Sequence, residues 1–352
     1  MRRVSVRQDE ETAARPARPE SARRTAPRTG SGRRAAPRTE STRRTALRTG
    51  SARRAAPRTW VLALATASLA TACAGDFDPR EERTRAATES AAADRAVAER
   101  AVRPALGQQA RRAAAARRWG LAEVPLAAPE PPAKKPVIRP RAGFEVAGQD
   151  RLALPPVFTT VPTKDRVVFL TIDDGAEKDP RFLRMMNDLK IPYTAFLTDT
   201  EVRKKKPGYA YFAKARDLDG ATLNNHTLHH RFLPNLSYAE QKHEICGMQD
   251  KLERHYGKRP TLFRPPYGDY DRTTLRAAKA CGITHAPIWN AEVFADRVDY
   301  REWDRSLHPG DIVLTHFRGR GDWAGTMPDM VRTFLDRATA DGFAVARLED
   351  YL

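Results

Sequence analysis

Aromatic side chains are missing from the first 59 residues of the 352-residue chain, and large apolar ones are nearly so. A stretch with so little to bury cannot offset the entropy of ordering, which excludes a packed core there. The missing rings also leave nothing on which nucleic-acid bases could stack. Acidic residues are scarce in the same stretch, 5 against 17 Arg, so it carries +12 of the formal +18. The high positive charge therefore belongs to the front of the chain and not to its foldable part. That front is a ten-residue repeat: SARRTAPRTG, SGRRAAPRTE, STRRTALRTG and SARRAAPRTW fill residues 21–60. An arginine-rich arm for nucleic acid or anionic lipid is one reading of such a run. We read residues 1–59 as a disordered basic leader ahead of an export signal, with no nucleic-acid partner.

Long apolar runs are also lacking. A membrane-spanning helix needs about 20 apolar residues, and Trp60 to Ala72 offers 13 that include two Thr and one Ser. Basic residues before it and small residues at its end match the apolar core of a secretory signal. Cys73 follows Ala70-Thr71-Ala72, as in bacterial lipoprotein signals, although Leu69 stands four residues before it where such signals prefer three. Residues 60–73 thus predict export, with the product either membrane-anchored by lipid on Cys73 or secreted to the cell wall. Cysteine is sparse at three residues. In an oxidising compartment Cys246 and Cys281, placed in consecutive predicted helices, are candidates for a disulfide. Residues 74–150 read as a stalk: an Ala-, Arg- and Glu-rich part, helical in pieces and interrupted at Pro104, then a proline-rich spacer from Leu121 to Arg141.

From about Leu152 apolar runs begin to alternate between strand-like and helix-like spacing. Val157–Val161 and Val167–Ile172 are strand candidates joined by a hairpin-like Pro162-Thr163-Lys164-Asp165, unless the second strand enters the core separately. Further strands are expected at 193–198, 261–263, 284–289, 312–314 and 343–346. Helices are expected at 181–189, 238–256 with Ser237 as N-cap, 273–281 and 328–340. Residues 151–352 predict one α/β domain with barrel-like alternation.

Two clusters in that domain carry chemistry. Val167 to Thr171 is an apolar run that ends at Ile172, Asp173, Asp174 and Gly175, placing two carboxylates at the carboxyl end of a buried strand. Asn224-Asn225-His226-Thr227-Leu228-His229-His230 holds imidazoles three and four apart, so His226 shares a helical face with either His230 or His229. Two imidazoles and one carboxylate form a donor set for a divalent ion.

Ile172-Asp173-Asp174-Gly175, His226-Thr227-Leu228-His229-His230, Arg264-Pro265-Pro266-Tyr267-Gly268 and Leu314-Thr315-His316 occur in that order. Together they resemble the polysaccharide deacetylases of the NodB-homology type, carbohydrate esterase family 4, over about Arg166 to Leu352. The resemblance implies a distorted (β/α) barrel of about seven strands. It implies Asp174, His226 and His230 as ligands of a divalent metal, zinc first, with cobalt or another divalent ion as alternatives. Asp173 would be the general base, His316 the general acid, and Arg264 a charge that tunes Asp173. The backbone N–H of Tyr267 would help to bind the oxyanion, and Tyr267, Trp289 and Leu314 would contact substrate. The expected substrate is an acetylated polysaccharide, with N-acetyl groups of peptidoglycan or a chitin-like polymer ahead of O-acetyl groups of xylan. No carbohydrate-binding module is evident. One motif departs from the family: Trp289-Asn290-Ala291-Glu292 lacks the usual Asp, for which Glu292 or Asp296 would substitute.

Overall fold

The computed structural model describes residues 79–352. The basic repeats, the expected export signal at residues 60–73 and Cys73 lie outside the described residues. Among the described residues seven α-helices and nine strands follow in order: α1 Pro79–Trp119, β1 Val157–Phe158, β2 Val167–Asp174, α2 Pro180–Leu189, β3 Thr194–Leu197, α3 Asp199–Lys204, α4 Tyr209–Asp219 and β4 Thr222–Asn225. Then come α5 Tyr238–Tyr256, α6 Arg272–Ala280, β5 Ala286–Pro287, β6 Ala291–Val293, β7 Val298–Tyr300, β8 Ile312–His316, α7 Met327–Ala340 and β9 Ala344–Val345.

β2 lies at the centre because every one of its eight residues is buried. It pairs in parallel with β3, β8 and β9. The seven-stranded sheet runs β4-β3-β2-β8-β6-β7 with β9 beside β2, and β6 with β7 is its antiparallel pair. β1 and β5 form a separate parallel pair, so residues 157–172 are not a hairpin; β2 enters the core separately. The expected strand at 261–263 is reduced to bridges from Phe263 to Asn225 and from Leu262 to His285. These bridges, with Thr160 to Asp311, link the two sheets where no continuous strand ladder closes them.

Alternation along β2 separates two cores. Val168, Leu170 and Ile172 pack under α2, α4 and α7, while Val167 and Phe169 face the inner cluster of Phe158, Phe196, Ile312 and Tyr351. Tyr351 meets Phe169 edge-on at 5.1 Å and plugs the inner core from the carboxyl-terminal turn. On α5, Ser237 and Glu240 form a reciprocal cap that satisfies the first turn's orphan N–H groups. Cys246 on α5 and Cys281, just past α6, are joined by a disulfide.

The segment ahead of the domain differs from a free-standing stalk. α1 runs unbroken through Pro104, its Ala- and Arg-rich flanks being strong helix formers. Ala115, Ala116 and Leu121 are buried in the main core. Arg141 donates to Thr159 Oγ1 at 2.7 Å and to Asn290 Oδ1 at 2.8 Å, and pairs with Glu302. Residues 121–141 form no regular element, and those anchors hold them along the domain instead of away from it.

Candidate metal and catalytic site

Neighbouring residues of a strand point to opposite faces, so two consecutive acids should not meet at one site. β2 escapes this because Asp174 is left-handed, at φ 73°, which turns its carboxylate toward the side that Asp173 occupies. Gly175 continues the turn at φ 92°, where a Cβ would lie 3.0 Å from Val202 and 3.1 Å from Phe212. Asp174, Thr227, His230 and Tyr267 are four of the seven non-glycine residues with positive φ among those described. Each such residue stores on the order of 1–3 kcal/mol, and their concentration here marks a site held against local preference.

The imidazoles do not converge from a helical turn. β4 ends at Asn225, and Thr227 at φ 73° and His230 at φ 55° fold the following loop so that both rings face the acids. Asn225 Oδ1 accepts from Thr227 N at 2.9 Å, and Thr227 Oγ1 accepts from His230 N at 3.1 Å. His226 Nε2 lies 3.7 Å and His230 Nε2 3.5 Å from the same atom, Asp174 Oδ1. His229 points away, with its Nδ1 2.8 Å from Glu244 Oε1, so position 230 and not 229 joins the cluster. Coordinating atoms of Asp174, His226 and His230 all lie within 4.8 Å of one another.

The surrounding shell fixes these groups. His226 Nδ1 is 2.7 Å from the Arg264 carbonyl, which sets the tautomer and leaves Nε2 free to face Asp174. Asp173 Oδ1 accepts from Arg264 Nη1 at 2.7 Å, and the register places Asp173 beside His316 on β8. Glu292 Oε1 stands 3.4 Å from His316 Nδ1, whereas Asp296 is exposed and paired with Arg297. Of the two acids, Glu292 is the one beside His316. Tyr267 is exposed and sets its ring edge-on to His230 at 4.6 Å. Trp289 is half-buried, and a side chain at Gly268 would collide with it at 3.0 Å. Leu314, expected to contact substrate, is buried within β8 at 1% exposure and presents no open surface to a glycan.

A model of the polysaccharide deacetylase family matches residues 160–286. An uncharacterized protein of Streptomyces coelicolor is 46% identical over 200 residues, covering 56% of this chain and 78% of that protein. A peptidoglycan-N-acetylglucosamine deacetylase of Bacillus cereus is 26% identical, over 45% of this chain and 76% of its own length. The chain belongs to the polysaccharide deacetylases of carbohydrate esterase family 4. Among solved structures, a family 4 carbohydrate esterase from Bacillus anthracis is similar at 20% identity and a TM-score of 0.47, covering 64% of this chain and 98% of that one. The family match spans Asp173, Asp174, His226, His230 and Arg264; Glu292, His316 and Arg318 lie beyond it.

As a family 4 site, the cluster can be tested for a divalent ion. Asp174 Oδ1 is buried with no hydrogen-bond partner, although two imidazole nitrogens face it. A buried anionic oxygen left in that state costs several kcal/mol unless a cation completes it. Burial lowers both His226 and His230 to about 4, so the rings are neutral at physiological pH, as ligands must be. Burial would raise Asp174, but the attraction of His316, His226, His230 and Arg318 brings it below the usual carboxylate range. Once the imidazoles are neutral, the charge that persists is that of Arg318, whose Nη2 donates to Asp174 Oδ2 at 2.7 Å. The residues fit a divalent metal. Burial pushes Asp173 up to about 6 against the pull of Arg264, and burial with Asp173 nearby pushes Glu292 to about 7. Sequence reasoning missed Arg318; its only signal was a basic residue two positions past His316.

Proposed function

We propose that the chain is an exported, metal-dependent deacetylase that hydrolyses N-acetyl groups of cell-envelope amino sugars, in peptidoglycan or a chitin-like polymer. The observation that carries this reading is the orphaned Asp174 Oδ1 facing His226 and His230, with a second buried carboxylate, Asp173, alongside. The substrate class rests on the Bacillus cereus relative, named for peptidoglycan N-acetylglucosamine. Export rests on residues 60–73; no helix among the described residues is long and apolar enough to cross a membrane.

Asp174, His226 and His230 would hold the metal, zinc first. When bound, it lowers the pKa of water from about 15.7 toward about 7 and polarises the acetyl carbonyl. Asp173 takes a proton from the attacking water, while Arg264 fixes the carboxylate's other oxygen. His316 donates a proton to the departing amine, and Glu292, 3.4 Å from its Nδ1, sets the ring's orientation; burial lowers His316, and the charges of Asp174 and Asp173 oppose that shift. Tyr267, at the rim beside His230, supplies a backbone N–H to the oxyanion and a ring face to the sugar. Acetate release from N-acetylglucosamine oligomers, with zinc or cobalt added, tests the reading. The wild type should release acetate and a His226→Ala variant should not; equal release from both would remove the metal site from the chemistry.

A further inference from the structure

Asp174 has two carboxylate oxygens in different circumstances. Oδ1 faces the imidazoles with no other partner, while Oδ2 is taken by Arg318. The guanidinium is positioned by the chain and not by chance contact. Phe317 is fully buried, its N–H donates to the Asp173 carbonyl at 3.1 Å, and its carbonyl accepts from Glu177 N at 2.8 Å. Arg318 N donates to the His316 carbonyl at 2.9 Å, so β8 delivers the general-acid candidate and this arginine as one unit. The Arg318 side chain is about one-third exposed, at 35%, and its Nη1 has only a distant second acid, Asp322, at 3.9 Å. No other polar group bonds to Asp174 Oδ2 among the described residues.

We infer that Arg318 is a positioning residue that restricts Asp174 to offering one oxygen to the metal. This deepens the function proposed above and rests on it. A carboxylate can hold a cation through one oxygen or two. With Oδ2 engaged by a guanidinium, Oδ1 is the oxygen left without a partner toward the imidazoles, and a carboxylate offering that oxygen alone would leave one more position for water or the acetyl oxygen. The guanidinium charge also drains electron density from the ligand and repels the cation, so Arg318 gives up metal affinity in exchange for a more electrophilic ion. A merely structural arginine would act in the opposite direction, since its loss would loosen the site.

The test uses chelator-stripped full-length protein and cobalt(II), followed by visible absorption and by competition with a chromophoric chelator, without substrate. Arg318→Met should bind cobalt at least roughly tenfold more tightly than wild type, as loss of a nearby like charge and gain of a second oxygen both require. Its visible band should weaken as coordination number rises, and kcat for acetate release should fall. Arg318→Lys, which keeps the charge, should hold affinity near that of wild type. Arg318→Gln, planar and neutral, guards against misfolding of the Met variant; it should also tighten binding, while keeping more of the wild-type spectrum. Equal or weaker binding by both neutral variants, with an unchanged spectrum, would overturn the inference and leave the metal site standing. A wild type that binds no cobalt would overturn the site reading and this inference with it.

Discussion

Arg264 offers the most quantitative test of how the catalytic base is held. Its side chain is wholly buried and donates to Asp173 Oδ1 at 2.7 Å, Thr171 Oγ1 at 2.9 Å and the Pro287 carbonyl at 3.0 Å. Its guanidinium lies 4.4 Å from the Phe196 ring centroid. Arg264→Met keeps length and apolar contact but strands a buried carboxylate. Breaking a buried pair by removing one partner costs about 3–5 kcal/mol, a large share of the roughly 5–15 kcal/mol that stabilises a domain. The penalty should depend on pH. Asp173 stands at about 6 with Arg264 present, and losing that charge moves it higher. A folded-state value further above the unfolded one means stability is lost as pH rises and the buried group must ionise. Urea unfolding of metal-free protein, followed by tryptophan fluorescence, should show a penalty that is nearly flat below about pH 6, where Asp173 is protonated in both proteins, and that grows from there to about pH 7.5. Adding Asp173→Asn to Arg264→Met should restore part of the loss, because both charges then leave together. A penalty under about 1 kcal/mol at pH 7.5, or one that does not change with pH, would refute the reasoning.

The remaining expectations follow from the same contacts. His316→Ala should lower kcat for acetate release by about 10²–10⁴ as a general acid would, and Glu292→Gln should cause a smaller kcat loss at nearly constant KM. Asp296→Asn should leave kinetics unchanged, since that side chain is exposed and meets Arg297; a larger effect from Asp296 than from Glu292 would reverse the assignment. The Cys246–Cys281 bond closes a loop with a sequence separation of 35, so Cys246→Ala with Cys281→Ala should cost about 4 kcal/mol in the chain-entropy account, measured by urea unfolding. Lys178 is buried, donates to the carbonyls of Ala176 and Glu201, and is lowered by burial to about 8. Between pH 8 and the ordinary lysine value of 10.5 the unfolded chain binds the extra proton, so stability should gain a rising contribution with pH that Lys178→Met removes.

What the sequence made legible follows from how local each feature is. The apolar run into Asp173 and Asp174 read as a strand buried on both faces, which β2 is, and Ser237 read as the N-cap that starts α5. The site's donor types were readable for the same reason. Its geometry was not, because left-handed Asp174, Thr227 and His230 carry no glycine to announce them. Helical spacing left His226 with either His229 or His230 and assumed a conformation that the loop does not adopt; the resemblance pointed to His230, the ring that faces Asp174. His229 was a competitor until Glu244, fifteen residues on, drew it away. Glu292 against Asp296 and the role of Arg318 depended on which strand lies beside β2, a long-range fact. The proline-rich stretch gave no sign of its docking, which rests on Arg141 reaching Asn290 and Glu302 across about 150 residues.

Zinc titration of chelator-stripped wild-type protein, with acetate release from N-acetylglucosamine oligomers as the readout, bears most directly on the central claim. Release should be absent without metal, rise with added zinc and saturate at one ion per chain, the number that Asp174, His226 and His230 can hold. Release that persists undiminished in the stripped protein would contradict it.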